Sequence, residues 1–360
     1  MDDKNKIDIC GLELDELKSI VGEKGEKNFR AAQIYKWIFK SGECDFGRMS
    51  DLSAAQRLKF EGLFNCGILK IARKSVSSDE MAVKYALELK DGNIIETVKI
   101  YDNLSFDKYT VCVSTQIGCP VNCSFCQTAK MGFIRNLSAA EITGQVLAAA
   151  FDGRNSADGL SNIVYMGMGE PLLNYENVIK SVKIINSPDA LNISMRKITV
   201  STAGVVPMIK KLMNEGMPLT LALSLHAPDD ELRDKLVPLN KKYNIKTLIG
   251  AVKNYIQTAK RRITIEYVLI DKVNDKKSDA VKLKELLKNI ICHVNLIPMN
   301  KTAGAFCAPS KNKISEFKNI LVSGGINATI RNSRGRDINA ACGMLYNEIN
   351  KDNNSGKDES

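Results

Sequence analysis

The apolar positions of the chain change period twice. Between residues 15 and 21, and again at Phe29, Ala32, Tyr35, Ile38 and Phe39, they recur at helical spacing and leave Arg30, Lys36 and Lys40 for another face, so residues 1–80 read as a small helical module with Trp37 packed into it. From residue 82 the period becomes two: alternating stretches at 82–89 and 94–100 flank Lys90-Asp91-Gly92-Asn93, the signature of a β-hairpin, and residues 81–108 read as a connecting hairpin. After Tyr109 a strand, loop, helix unit repeats six times. Strands are expected at 110–114, 162–166, 197–201, 219–225, 262–269 and 293–297, and helices at 138–150, 175–185, 205–214, 246–259 and 278–288. The first helix opens with a Ser-x-x-Glu capping box at Ser138 and Glu141.

Such alternation predicts parallel strands wrapped by helices. Six units are too few to close an eight-stranded barrel, so the expected fold class is α/β: a partial, open (β/α)6 barrel over residues 109–346, preceded by the helical accessory domain. A further strand is expected at 327–331. The tail, residues 347–360, is rich in Asn, Lys, Asp and Ser and reads as disordered.

Composition changes this picture only at the margins. A hydrophobic content of 44% supports a sizeable core, and a net charge of +10 in 360 residues points to a polyanionic partner, nucleic acid first. A solvated basic surface would look the same. The charged start Met1-Asp-Asp-Lys-Asn-Lys6 and the lack of any 18-residue apolar run predict no membrane span and a cytoplasmic protein whose ten cysteines stay reduced.

Chemistry enters at Cys119-Pro-Val-Asn-Cys123-Ser-Phe-Cys126. Iron–sulfur clusters are normally held by four thiolates, so a [4Fe-4S] cluster held by Cys119, Cys123 and Cys126 would keep one iron open to a small molecule. The competing explanations are a zinc knuckle, which lacks a fourth ligand before Cys292, and three unrelated buried thiols. In parallel barrels ligands gather at the C-terminal strand ends. There this sequence places Gly167-Met-Gly169-Glu170-Pro171, Ser201-Thr-Ala-Gly204, Ser224-Leu225-His226-Ala227 and Pro298-Met-Asn300: glycines for close approach, Glu170 to accept from an ammonium, Ser201 and Asn300 for ribose or carboxylate. Glu170 could instead cap a helix before Pro171, and His226 could be a hydrogen-bonded core group. Glu96, in the second hairpin strand, reads as solvent-facing. Cys10, Cys44 and Cys66 show no partner spacing, and Cys292 and Cys307 read as structural.

The Cys-x3-Cys-x2-Cys spacing resembles that of the radical S-adenosylmethionine (radical SAM) superfamily. Together with Asn28-Phe-Arg-Ala-Ala-Gln33, Cys112-Val-Ser-Thr-Gln-Ile-Gly-Cys119, Gly132-Phe-Ile-Arg-Asn-Leu137, Met166-Gly-Met-Gly-Glu-Pro171, Ser224-Leu-His-Ala-Pro228 and Arg331-Asn-Ser-Arg-Gly-Arg-Asp-Ile-Asn-Ala-Ala-Cys342-Gly343, it resembles the RlmN family of dual-specificity RNA methyltransferases over nearly the whole chain. The resemblance implies methylation of an adenine C2 carbon in 23S rRNA at the peptidyl transferase centre and in certain tRNAs beside the anticodon. It implies one [4Fe-4S] cluster, two S-adenosylmethionine (SAM) molecules per turnover, an electron donor such as flavodoxin or ferredoxin, and a monomer.

By the same resemblance SAM is contacted by Gly169, Glu170, Ser201, Ser224, Leu225, His226 and Asn300. Cys342 carries a methyl group and joins the RNA covalently, Glu96 removes the C2 proton, and Cys112 resolves the adduct through a disulfide with Cys342. Alternation along the first barrel strand turns Tyr109, Val111 and Val113 to the helices and Cys112 into the barrel. Arg331, Arg334 and Arg336 would meet RNA phosphates or simply solvate the surface. The sister Cfr family, which methylates C8 of the same rRNA adenine, shares the cysteines but has Gly-Glu-Ala and Ser-Leu-His-Ser where this chain has Gly-Glu-Pro and Ser-Leu-His-Ala, and no Arg-Gly where this chain has Arg334-Gly335. A non-catalytic RNA-binding iron–sulfur protein is the alternative from another class.

Overall fold

The computed structural model describes residues 6–154, 156–300, 306–332 and 334–345; the tail from Asn347 lies outside them. A ten-stranded mixed sheet forms the body. In chain order its strands are β1 (Lys70–Val76), β2 (Ala82–Glu88), β3 (Ile94–Tyr101), β4 (Tyr109–Cys112), β5 (Leu160–Tyr165), β6 (Ile198–Thr202), β7 (Thr220–Ser224), β8 (Ile263–Leu269), β9 (Cys292–Pro298) and β10 (Asn327–Ile330). They lie side by side in that order; β1 to β4 pair antiparallel and β4 to β10 parallel. The hairpin is thus more than a connector, because it extends the barrel sheet. β1 falls in the stretch read as helical.

Three helices, α1 (Leu14–Glu23), α2 (Phe29–Ser41) and α3 (Ala54–Leu63), build the N-terminal module. Around the barrel follow α4 (Ala139–Phe151), α5 (Tyr175–Asn186), α6 (Val206–Asn214), α7 (Asp230–Leu236), α8 (Ile245–Ala259), α9 (Lys277–Leu286) and α10 (Lys311–Ser323). Ser138 and Glu141 form the expected reciprocal cap of α4. Among the described residues no helix is long and apolar enough to cross a membrane.

Register assigns the faces. Val111 is level with Ile163, Val200 with Leu221, and Ile265 with Val294. All are fully buried in the main core, each contributing about 1.5–3 kcal/mol. The opposite, inner face carries Cys112, Ser201, Ser224, Glu266 and Asn295, as the alternation along β4 predicted. Across the antiparallel strands Cys112 is level with Val98, Val98 with Lys84, and Glu96 with Ala86, so Lys84 and Glu96 share that face. The other face of β3 meets α4: Thr97 Oγ1 donates to Gln145 Oε1 at 2.7 Å and Lys99 Nζ to the Ala149 carbonyl at 3.2 Å.

The N-terminal module has its own core of Leu17, Tyr35, Ile38, Phe39 and Phe60, closed by Leu147 of α4 and Ile184 of α5. Trp37 is half-buried and donates to Asp51 Oδ1 at 2.7 Å, whereas Phe29, read as core, is 51% exposed at the start of α2. A second departure concerns the cysteines. Cys44 and Cys66 form a disulfide across 22 residues, because the chain returns past the end of α2 after α3, a proximity that spacing could not reveal.

Candidate active site

At the C-terminal ends of the parallel strands lies a cavity with about 960 Å³ of empty space, part of it open to solvent. Cys119, Cys123 and Cys126 line one wall, and Gly169, Glu170, Ser201, Ser224, His226, Asn300 and Cys342 line the remainder. The cysteine loop is pinned at both ends: Cys119 N donates to Gly132 O at 2.8 Å and Ser124 N to Leu236 O, at the end of α7, at 3.1 Å. Gly118, at φ +75, is required here, since a Cβ would sit 1.9 Å from Gly132 O. Burial pushes the Cys119 thiol up to about 12 and that of Cys123 well above its ordinary value. Ligation therefore needs the positive charge of iron to draw off those protons.

The strand ends are fixed by hydrogen bonds to backbone. Gly169, at φ +99, passes so close to Gln116 that a Cβ would lie 2.6 Å from that side chain, and Gln116 Oε1 accepts from Glu170 N at 2.8 Å. Glu170 Oε2 accepts from Ala203 N at 2.7 Å while Oε1 accepts from Leu172 N at 3.1 Å, so one carboxylate both caps the turn after Pro171 and borders the cavity. Burial raises its pKa to about 7 against those bonds, and a bound cation would bring it back down. His226 sits at φ +60; its Nδ1 accepts from Val268 N at 3.1 Å and its ring meets the Phe125 edge, centroids 4.9 Å apart. Burial, helped by the Arg233 charge, lowers its pKa to about 3. The imidazole is accordingly a neutral group with Nε2–H as donor, which suits ligand contact better than proton transfer. Leu225 is fully buried behind this wall; its carbonyl accepts from Arg233 Nε at 3.0 Å.

The residues present fit a cluster and a polar ligand. Asn300 Nδ2 donates to Cys342 O at 3.0 Å, while its Oδ1 is buried with no partner among the described residues, an acceptor waiting for a donor such as an amino group. Among the described residues no three His, Cys, Asp or Glu side chains are gathered tightly enough for a single metal ion; the fit rests on three thiols sharing one wall.

Cys112 lines a second, smaller cavity of about 580 Å³, together with Cys342 and Arg331. Met166, Arg331 and Cys342 belong to both cavities, which places Cys342 between the cluster wall and Cys112. Arg331, read as meeting RNA phosphates or solvating the surface, lines both cavities beside the two thiols and so is no mere surface residue. Glu96 is 1% exposed, contrary to the solvent-facing reading, and pairs with the equally buried Lys84 at 2.8 Å. It lines neither cavity.

Two residues escaped the sequence reading. Glu266 lines the main cavity, with Oε2 accepting from Asn295 Nδ2 at 2.9 Å and its pKa raised by burial; its inward parity with Ser224 was the available signal. Arg233, fully buried on α7, also donates to the carbonyls of Ala203 at 2.6 Å and Ser224 at 3.1 Å. Nothing local in Asp-Glu-Leu-Arg distinguishes it from a surface helix residue.

Two family models match: one described as the Radical SAM superfamily at residues 113–283, the other as the ribosomal RNA large subunit methyltransferase N-terminal domain at residues 7–65. A probable dual-specificity RNA methyltransferase RlmN from Pseudothermotoga lettingae is 47% identical over 94% of this chain and 97% of its own length. The counterpart from Syntrophomonas wolfei is 44% identical over 98% and 100%. The chain belongs to the RlmN family of radical SAM methyltransferases. A crystal structure of a radical SAM methyltransferase from Sphaerobacter thermophilus superposes with a TM-score of 0.91 at 44% identity, covering 94% of this chain and 99% of that one. Membership in the RlmN family brings an RNA substrate, and the radical SAM fold brings a [4Fe-4S] cluster and SAM, for which the wall of three thiols and the strand-end polar groups are the fitting sites.

Proposed function

We propose that this protein methylates the C2 carbon of an adenine in 23S rRNA, at the peptidyl transferase centre, and in certain tRNAs beside the anticodon, acting in the cytoplasm as a monomer. The observation that carries the reading is that Cys342 lies between two cavities, with the cluster thiols on one side and Cys112 on the other. A plain SAM-dependent transfer needs no such pair of thiols. The bound cluster and two SAM molecules per turnover supply one methyl group and one hydrogen-abstracting radical, with electrons from a donor such as flavodoxin or ferredoxin.

The chain's own residues do the remainder. Cysteines 119, 123 and 126 hold the cluster. Glu170, Ser201, Ser224, His226 and Asn300, with Gly169 and Leu225 shaping the backbone, orient SAM. The Cys342 sulfur accepts the methyl group and carries it to the adenine, so that enzyme and RNA become joined through S–CH2–C2. Glu96 takes the C2 proton while the adduct gives up its one unpaired electron, for which the cluster would be the acceptor; Glu96 is held by Lys84 on the sheet face that carries Cys112. The Cys112 thiolate then attacks the Cys342 sulfur. The S–S bond forms, the S–CH2 bond breaks, and its electron pair stays on carbon, which takes up a proton to become the methyl group. A cellular thiol reduces the disulfide by exchange.

C2 rather than C8 selectivity is supported by Gly169-Glu170-Pro171, Ser224-Leu225-His226-Ala227 and Arg331-Asn-Ser-Arg-Gly335. The reading is tested by anaerobic reconstitution with iron, sulfide, SAM, a reductant and an rRNA fragment. The expected products are 5′-deoxyadenosine and 2-methyladenosine. A non-catalytic RNA-binding protein would yield neither, and a Cfr-type enzyme 8-methyladenosine.

A further inference from the structure

The smaller cavity contains more than the two thiols. Arg331 and Arg334 also line it, and among the described residues neither makes an ion pair. Arg334 is anchored through Nη2, which donates to the Asp102 carbonyl at 3.0 Å, while its Nη1 is buried with no acceptor among the described residues. An orphaned guanidinium N–H is expensive to leave unmet, and its natural complement is an oxyanion. The carboxylates that face these cations already accept from other donors and stop short of an ion pair: Asp79 Oδ1, on whose charge Arg334 acts, accepts from Ser77 Oγ at 2.6 Å and Met81 N at 3.0 Å, and Glu266 Oε2, on whose charge Arg331 acts, accepts from Asn295 Nδ2 at 2.9 Å.

We propose that this cavity is the subsite for the phosphate of the nucleotide to be methylated, with Arg334, assisted by Arg331, as its cation. The inference rests on the RNA methyltransferase reading and adds where the target nucleotide is gripped. A base can reach a buried thiol only by leaving its stack, and it carries its own phosphate with it. Two guanidinium groups stand in the cavity that Cys342 shares with the cofactor side, so a phosphate held there leaves the sugar and base directed toward Cys342. Guanidinium forks match phosphate oxygens as a lysine point charge does not.

The test uses the cluster-loaded enzyme and a hairpin RNA carrying the target adenosine, with and without a neutral methylphosphonate in place of the phosphate 5′ to that adenosine. Arg334→Gln is expected to raise KM for RNA on the order of tenfold with a smaller change in kcat, and to flatten the salt dependence of binding by about one phosphate contact. Methylphosphonate should weaken the wild-type enzyme by a similar factor and add little to the Arg334→Gln defect. Arg334→Lys, which keeps the charge and loses the fork, should fall between; it carries the test alone if thermal unfolding shows the Gln variant to be misfolded. A wild-type KM and salt slope in Arg334→Gln, or a methylphosphonate penalty undiminished in either variant, would overturn the subsite. A wild-type enzyme that transfers no methyl group to RNA would instead count against the underlying reading.

Discussion

Burial holds the Cys112 thiol at a pKa of about 12; the neighbouring Cys342 adds to the rise and Arg331 opposes it. A resolving thiol in this state is protonated near neutrality, so its attack on an adduct is limited by deprotonation and should quicken as pH rises from 7 to 9. Single-turnover release of methylated RNA, followed by quench and gel, measures this; a flat profile would mean that another step limits. Cys112→Ala should still methylate Cys342 and bond to RNA, and so accumulate an RNA–protein crosslink on denaturing gels. Cys342→Ala should give neither crosslink nor product. Normal turnover by Cys112→Ala would remove its resolving role. At this scale the cluster motif was legible because three thiols within eight residues have few explanations. Glu266 and the ion-paired Glu96 were not, because parity alone does not say which strand face is buried; that follows from their partners on neighbouring strands, Ser224 beside Glu266 and Ala86 beside Glu96.

The elements that position these residues make their own predictions. The cysteine loop depends on Gly118 running against the Gly132 carbonyl, so Gly118→Ala should lower bound iron per chain after reconstitution to a small fraction of wild type; full iron loading would show that the loop tolerates displacement. On the other side of the sheet, Lys99 is almost fully buried over the Tyr109 ring, with Nζ 4.2 Å from the centroid, and burial, with help from Arg154, depresses its pKa to about 8. A cation whose folded pKa lies below its unfolded value near 10.5 contributes stability above 10.5 that is lost as pH falls through 8. Lys99→Met should therefore gain on wild type by up to roughly 3 kcal/mol at pH 7, less the lost bond to Ala149. That difference should shrink between pH 8 and 10.5 in paired thermal melts, and a pH-independent difference would contradict it. Periodicity located the barrel strands to within a few residues because each buries its apolar side chains against helices. β1 was missed for the opposite reason: it is an edge strand whose Lys70, Arg73 and Lys74 are exposed, and it buries too little to alternate visibly.

For the whole molecule, the open barrel and the added antiparallel strands border the two cavities, while the N-terminal module packs on α4 and α5. The sequence order of strand, loop and helix was enough to infer the partial barrel, since the repeated unit leaves few topologies. It could not tell that the hairpin would continue the sheet, nor that Cys44 and Cys66 would meet, because both depend on how the module docks against α4 through close approaches such as Gly144 to the Gly67 carbonyl. The central claim is that this architecture delivers a methyl group from Cys342 to an adenine C2 carbon. Its most direct test is nucleoside mass spectrometry of ribosomal RNA from cells with and without this gene. The account predicts 2-methyladenosine in the first and its loss in the second; 8-methyladenosine in its place, or identical RNA from both, would contradict it.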